Sequence, residues 1–189
     1  MFNKTNLIAG LLVGFITFSI ALLMSLGSEA LVRAVNNVFI AIILLLFVIF
    51  LGIFFDVLGT AATAAQLAPF NARAAKKIFG ASQSVKIKSN AHIVANYFND
   101  VIGDISGTLS GAIGAGIVVS LVNQFSVIDT VLLSGVMTSL IASLTVGGKA
   151  IGKNYAIINA NNIIINLGVV LAYWEKYTRI ELFKNKGRA

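Results

Sequence analysis

An all-α integral membrane protein is the fold class this sequence predicts. It reads as about four transmembrane helices, a cytoplasmic juxtamembrane helical hairpin and a C-terminal interfacial or re-entrant helix. Three observations predict it. Hydrophobic residues make up 58% of the 189 and charged residues 11%, against about 25% charged in an ordinary soluble domain. Val38–Phe55 runs for eighteen residues without a charge, about the minimum for a helix that crosses hydrocarbon. The Lys and Arg residues fall between the apolar stretches, as topology determinants do.

The first apolar segment, Leu7–Leu26, is longer than the core of a signal peptide and is closed by no small-x-small cleavage site, so it reads as a retained helix. The second span is Asn37–Leu58. Ala61–Gln66 carries that helix beyond the membrane, and Pro69 marks a break or a new start. Ala72–Phe79 then reads as a helix capped at its C-terminus by Gly80, and Ser82 or Ser84 opens the next one. This hairpin is expected to lie against the membrane with Phe70, Ile78 and Phe79 buried and its lysines towards phosphates. The third span, Ile93–Val122, is interrupted by small and acidic residues, and the fourth, Thr130–Val146, is short but uncharged.

Cation counts orient these spans. Residues 59–92 carry five Lys or Arg and residues 148–189 carry seven, whereas the Asn123–Asp129 loop carries none and the Gly27–Asn36 loop only Arg33. The positive-inside rule places the two basic segments, and both termini, in the cytoplasm. A further apolar stretch, Ala156–Trp174, would put the basic tail outside if it crossed. Its Asn159, Asn161, Asn162 and Asn166 also suit an interfacial or re-entrant helix, with Tyr173, Trp174 and Tyr177 at the headgroups. The expected organisation is residues 1–36 as an extra N-terminal helix and outer loop, 37–175 as the transmembrane core, and 176–189 as a basic cytoplasmic tail.

Several functions are excluded by composition. The absence of cysteine removes disulfides and thiolate metal sites, and His92 alone makes no zinc or haem site. The net charge of +7 is spread over loops with no basic stripe interleaved with aromatics, which argues against nucleic acid as a partner. No nucleophile–base pair, P-loop or dinucleotide fingerprint occurs, so no enzyme activity and no organic cofactor are expected.

Two constellations remain. Carboxylates inside membrane segments are costly and point to function. Asp56 lies near the end of the second span, with Thr60 and Thr63 on its face of the helix and Gly59 beside it. In the third span Asn96, Asp100 and Asp104 recur every four residues, bordered by Asn99, Ser106 and Ser110. Two carboxylates one turn apart repel unless a cation separates them. That cation is either a bound hard ion, which favours carboxylate, hydroxyl and amide oxygens, or the ammonium groups of Lys149 and Lys153. Gly103, Gly107 and Gly111 form a smooth ridge on the same helix, suited to close helix packing or a dimer contact.

Three motifs resemble the transmembrane domain of the CNNM/CorC magnesium transporters. Phe54-Phe55-Asp56-Val57-Leu58-Gly59-Thr60-Ala61-Ala62-Thr63 looks like the family's Phe-Phe-Ser-x-x-Glu-Thr-Ala-x-Thr helix end. Asn99-Asp100-Val101-Ile102-Gly103 is similar to its Asn-Asn pair, and Gly148-Lys149-Ala150-Ile151-Gly152-Lys153-Asn154-Tyr155-Ala156 to its Gly-Glu-x-x-Pro-Lys stretch. Arg73–Lys88 resembles the juxtamembrane hairpin. The resemblance covers about residues 38–175, with no CBS-pair regulatory domain expected after it. It departs from the family where Asp56 and Gly59 stand for Ser and Glu, Asp100 for the second Asn, Lys149 for the Glu and Gly152 for the Pro.

The resemblance implies a homodimer in the plasma (bacterial inner) membrane that binds and transports a divalent cation, magnesium before others. Asp56, Thr60, Asn99, Asp100 and Asp104 are the expected ligands or path, and Lys149 and Lys153 a cytoplasmic gate or ion pair. The alternative is a non-transporting membrane scaffold or regulatory subunit that keeps the fold, its acids satisfied by those two lysines.

Overall fold

The computed structural model describes residues 8, 10–12, 14–23, 26, 37–125 and 129–183. Every regular element among them is helical: α1 (Val38–Ala64), α2 (Leu67–Ala75), α3 (Ala81–Ser89), α4 (Ala91–Ala95), a π-helical segment (Asn96–Ile102), α5 (Gly103–Gln124), α6 (Thr130–Ile158) and α7 (Ala160–Thr178). Among the described residues, three stretches are long and apolar enough to cross a membrane: Val38–Ala64, Ala91–Gln124 and Thr130–Ile158. Their large exposed apolar residues, such as Phe39, Phe47 and Leu140, are compatible with a membrane protein whose helices contact a lipid bilayer. The expected Leu7–Leu26 span falls partly outside the described residues; residues 10–12 and 14–23 within it are helical. The expected loop cation Arg33 and the tail from residue 184 also lie outside them.

Local chemistry sets the helix ends. Asn37 starts α1, its Oδ1 accepting the Phe39 N–H at 2.9 Å. Asp129 starts α6, its Oδ1 accepting the Val131 and Leu132 N–H groups at 2.8 and 3.0 Å. No terminator follows, so α6 continues through Gly147-Gly148 well past the expected Val146 end and stops at Ile158. α7 ends where Arg179 turns left-handed, at φ 58°.

The chain divides into two compact units. The first holds residues to Ile53 with Val101–Gly148. Its core is Ala41, Leu45, Val48 and Ile49 from α1 against Leu109, Ile113 and Ile117 from α5, with Met137 and Ile141 of α6 at its edge. These positions recur at the helical period, so one stripe of each helix is buried. Close approach is made at Gly52, where a Cβ would fall 2.8 Å from Ser106 Cβ, and at Gly114, covered by Ile141. Within the chain, the ridge expected at Gly103, Gly107 and Gly111 packs only in part. Gly103 is buried, but a Cβ on Gly107 or Gly111 would meet nothing within 4 Å. The packing stripe runs through the Ile105–Leu109–Ile113–Ile117 face instead.

The second unit holds Phe54–Asp100 and Lys149–Ala189. Its core joins Ala61, Ala62 and Ala65 of α1 and the α1–α2 junction, Phe70 of α2, Ile87 of α3, and Ala156, Ala160, Ile164 and Leu171 of α6 and α7. Small residues on α1 and α7 let the backbones approach. The hairpin exists but differs from expectation. Its first helix ends at Ala75, and Gly80 is the N-cap of α3 rather than the C-cap before it, with φ 81°. Phe70 is fully buried as expected, whereas Ile78 and Phe79 are about half exposed, at 47% and 51%. The intervening turn places Phe79 on the rim, where it stacks on Tyr173 at 4.9 Å.

Polar groups tie this unit. Ser84 Oγ, fully buried, shares its proton between the carbonyls of Gly80 and Ile164 at 3.0 and 3.1 Å. Lys86 pairs with Glu175 and Glu181, and Gln83 donates to Glu175. Gln66 N–H donates to Asn161 Oδ1, which gives one of the α7 asparagines a structural use. Lys88 Nζ donates to the carbonyls of Ala62 and Thr63 at 3.2 and 2.7 Å. It thereby satisfies the free carbonyls at the C-terminus of α1, where the helix dipole favours a cation. Lys88→Met is expected to cost about 1–2 kcal/mol, read as a lower apparent melting temperature that Lys88→Arg largely restores.

Candidate cation site

The buried seam of α1 passes through Leu45, Ile49, Gly52, Asp56 and Gly59, alternately four and three residues apart. Asp56 is thereby turned inwards and is 3% exposed. Lys153 Nζ lies 3.8 Å from its Oδ1, while its Oδ2 is buried with no hydrogen-bond partner. One turn on, Gly59 is also buried. A Cβ there would fall 2.7 Å from Asn99 Cγ and closer still to its Oδ1. The Asn99 amide therefore occupies the space that a side chain at Gly59 would fill. Its Oδ1, like Asp56 Oδ2, is buried and without a donor.

Asn99 reaches this position from the π-helical segment Asn96–Ile102. A π turn widens the helix and re-aims side chains, and such turns recur at functional sites. Phe98, beside Asn99, stacks on Phe55 of α1 at 5.3 Å and holds the segment against that helix. Asn99 Oδ1 thus meets α1 at Gly59, about one helical turn beyond Asp56. Two acceptor-only oxygens, Asp56 Oδ2 and Asn99 Oδ1, are buried there with no donor for either. Leaving them so is costly; a cation satisfies both.

The other sequence-predicted residues are arranged differently. Thr60 is half buried, with its carbonyl accepting Thr63 Oγ1 at 2.8 Å. Asp100 and Asp104 are exposed and form no ion pair among the described residues, and Asp104 is engaged only through its carbonyl, by Thr108. Lys149 makes no ion pair among them either; of the two lysines it is Lys153 that meets a carboxylate, that of Asp56. No group of three His, Cys, Asp or Glu able to hold a metal occurs among the described residues. The donors brought together are thus one carboxylate, one amide and one lysine. Gly59, beside Asp56, is where the close approach is made: its lack of a side chain makes room for Asn99, the partner that the sequence did not show.

No protein-family model, curated protein or solved structure matches the chain. The CNNM/CorC resemblance rests on its short motifs alone.

Proposed function

We propose that this membrane protein binds a hard divalent cation, magnesium first, between Asp56 and Asn99 beside Gly59, and moves it across the bilayer. The observation that carries the reading is the pair of buried oxygens, Asp56 Oδ2 and Asn99 Oδ1, that have no donor. Thr60 adds a neutral oxygen one turn from Asp56, and the exposed Asp100 and Asp104 serve as an approach path rather than as ligands. The lysine and arginine distribution supports a plasma (bacterial inner) membrane protein with cytoplasmic termini, and the family resemblance supports a homodimer.

A ligand that binds only the folded protein raises its stability, by about 2.7 kcal/mol at a hundredfold excess over Kd. Magnesium, and to differing extents calcium or manganese, is therefore expected to raise the apparent melting temperature of the detergent-solubilised protein. Asp56→Asn is expected to abolish that rise and to stop magnesium flux in proteoliposomes. A flat response in the wild type, or an undiminished one in Asp56→Asn, overturns the assignment. The second reading, a scaffold or regulatory subunit without transport, is favoured by the Lys153–Asp56 ion pair. It requires that pair to be permanent and the protein to be indifferent to added cations.

A further inference from the structure

The two partners of the Asp56–Lys153 pair are held very differently. The Asp56 side chain is 4% exposed and fixed on the buried seam of α1, whereas the Lys153 side chain is 52% exposed. Their separation of 3.8 Å exceeds the about 2.7–3.2 Å of an N–H···O hydrogen bond, so attraction alone holds the ammonium. The other lysines of this unit that have polar partners are held more closely. Lys86, 12% exposed, lies between Glu175 and Glu181, and Lys88 donates to two carbonyls. Lys153 carries its charge on a flexible four-carbon stem and can withdraw into solvent without leaving a buried group of its own unpaired. It also serves only one side of the carboxylate: Asp56 Oδ2 and Asn99 Oδ1 stay without a donor while it is in place.

We infer that Lys153 is a tethered counter-cation, displaced from Asp56 when an ion enters, and that this competition makes it the residue that selects divalent over monovalent ions. The inference rests on the cation-site reading of Asp56 and Asn99. At a given distance a doubly charged ion gains twice the attraction to a carboxylate that a singly charged one does. A sodium ion replacing the ammonium exchanges one unit of charge for another and must also shed water. A magnesium or calcium ion brings an additional charge and supplies the partner that Asp56 Oδ2 and Asn99 Oδ1 lack. With the lysine present, only the divalent ion displaces it effectively.

The test compares wild type, Lys153→Gln, Lys153→Arg and Asp56→Asn as full-length, detergent-solubilised protein. Each is titrated with magnesium chloride, calcium chloride or sodium chloride, with ionic strength held constant by choline chloride, and read as apparent melting temperature. Lys153→Gln is expected to lower the half-saturating magnesium concentration about fivefold, the scale of a partly exposed ion pair removed as competitor. It is also expected to gain a stabilisation by sodium that the wild type lacks. Lys153→Arg keeps the charge and the wild-type selectivity. An unchanged or raised magnesium half-saturation in Lys153→Gln, or no sodium response in it, overturns the inference while leaving the site itself standing. A wild type indifferent to both divalent ions and indistinguishable from Asp56→Asn overturns the site reading, and the inference with it.

Discussion

Gly168→Ala is expected to be among the most damaging single-methyl additions in the protein. Gly168 lies on the buried face of α7, where α3 crosses it. A Cβ there would collide with Ser84 Oγ, fall 2.6 Å from the Gly80 carbonyl oxygen and 2.9 Å from Ser84 N. Two of those three atoms are backbone, at the first turn of α3, so no rotamer change relieves the clash. Gly80 makes the converse approach: its own Cβ would fall 2.7 Å from Val169 Cα, and its φ of 81° already favours glycine. Overpacking of this kind costs about 1–3 kcal/mol or more. The added helix propensity of alanine returns about 1 kcal/mol, and the shared Ser84 hydrogen bonds break as α3 is pushed away. We expect a lower apparent melting temperature than for any other variant proposed above. Adding Ser84→Gly should not restore it, because the Gly80 carbonyl and Ser84 N–H remain. A Gly168→Ala protein that melts with the wild type would mean that α3 does not sit on α7 as described.

The long helices were legible in the sequence because long uncharged apolar runs mark them. Asp56 was legible as a carboxylate near the end of such a run, but the run is apolar on every side, so its period does not show that Asp56 continues the buried stripe of Leu45 and Ile49. What lies across from Asp56 was not legible. The four-residue spacing of Asn96, Asp100 and Asp104 puts all three at exposed positions, whereas the Oδ1 of Asn99 between them is buried. The π turn that aims it has no simple residue signature. The glycine ridge shows the same limit. Gly107 and Gly111 are as smooth as Gly114, yet only Gly114 is covered, because Ile141 happens to sit above it. Gly80 was legible as a break but not as to which helix it caps. A left-handed glycine serves either end, and Lys77, at φ 54°, already supplies the turn that ends the preceding segment. Lys149 and Lys153 lie one turn apart on α6, and only their environment tells which of them meets a carboxylate.

Gly59→Ala is expected to do the reverse of Gly168→Ala: to spare the fold and remove the site. The three atoms that a Cβ at Gly59 would meet first all belong to the Asn99 side chain, with Cγ at 2.7 Å and Nδ2 at 3.2 Å. An amide on two rotatable bonds can swing aside, whereas the backbone of α3 at Gly168 cannot. Replacing a mid-helix glycine by alanine gains about 1 kcal/mol of helix propensity, which offsets the weaker packing of Asn99 once it turns away. The melting temperature without added cation should therefore stay near that of the wild type. The ion, however, loses the neutral oxygen that Asn99 Oδ1 supplies opposite Asp56. An interaction between a charge and a polar group is worth about 1.5–3 kcal/mol, so the half-saturating magnesium concentration should rise at least about tenfold. Asn99→Ala should match it, and the double variant should be no worse than either alone, since both remove the same oxygen. Full cation response in Gly59→Ala would show that Asn99 Oδ1 is not a ligand. A collapse of the fold would show that Asn99 is locked by its neighbours, so that the amide, rather than an ion, is what the space beside Gly59 is built to hold.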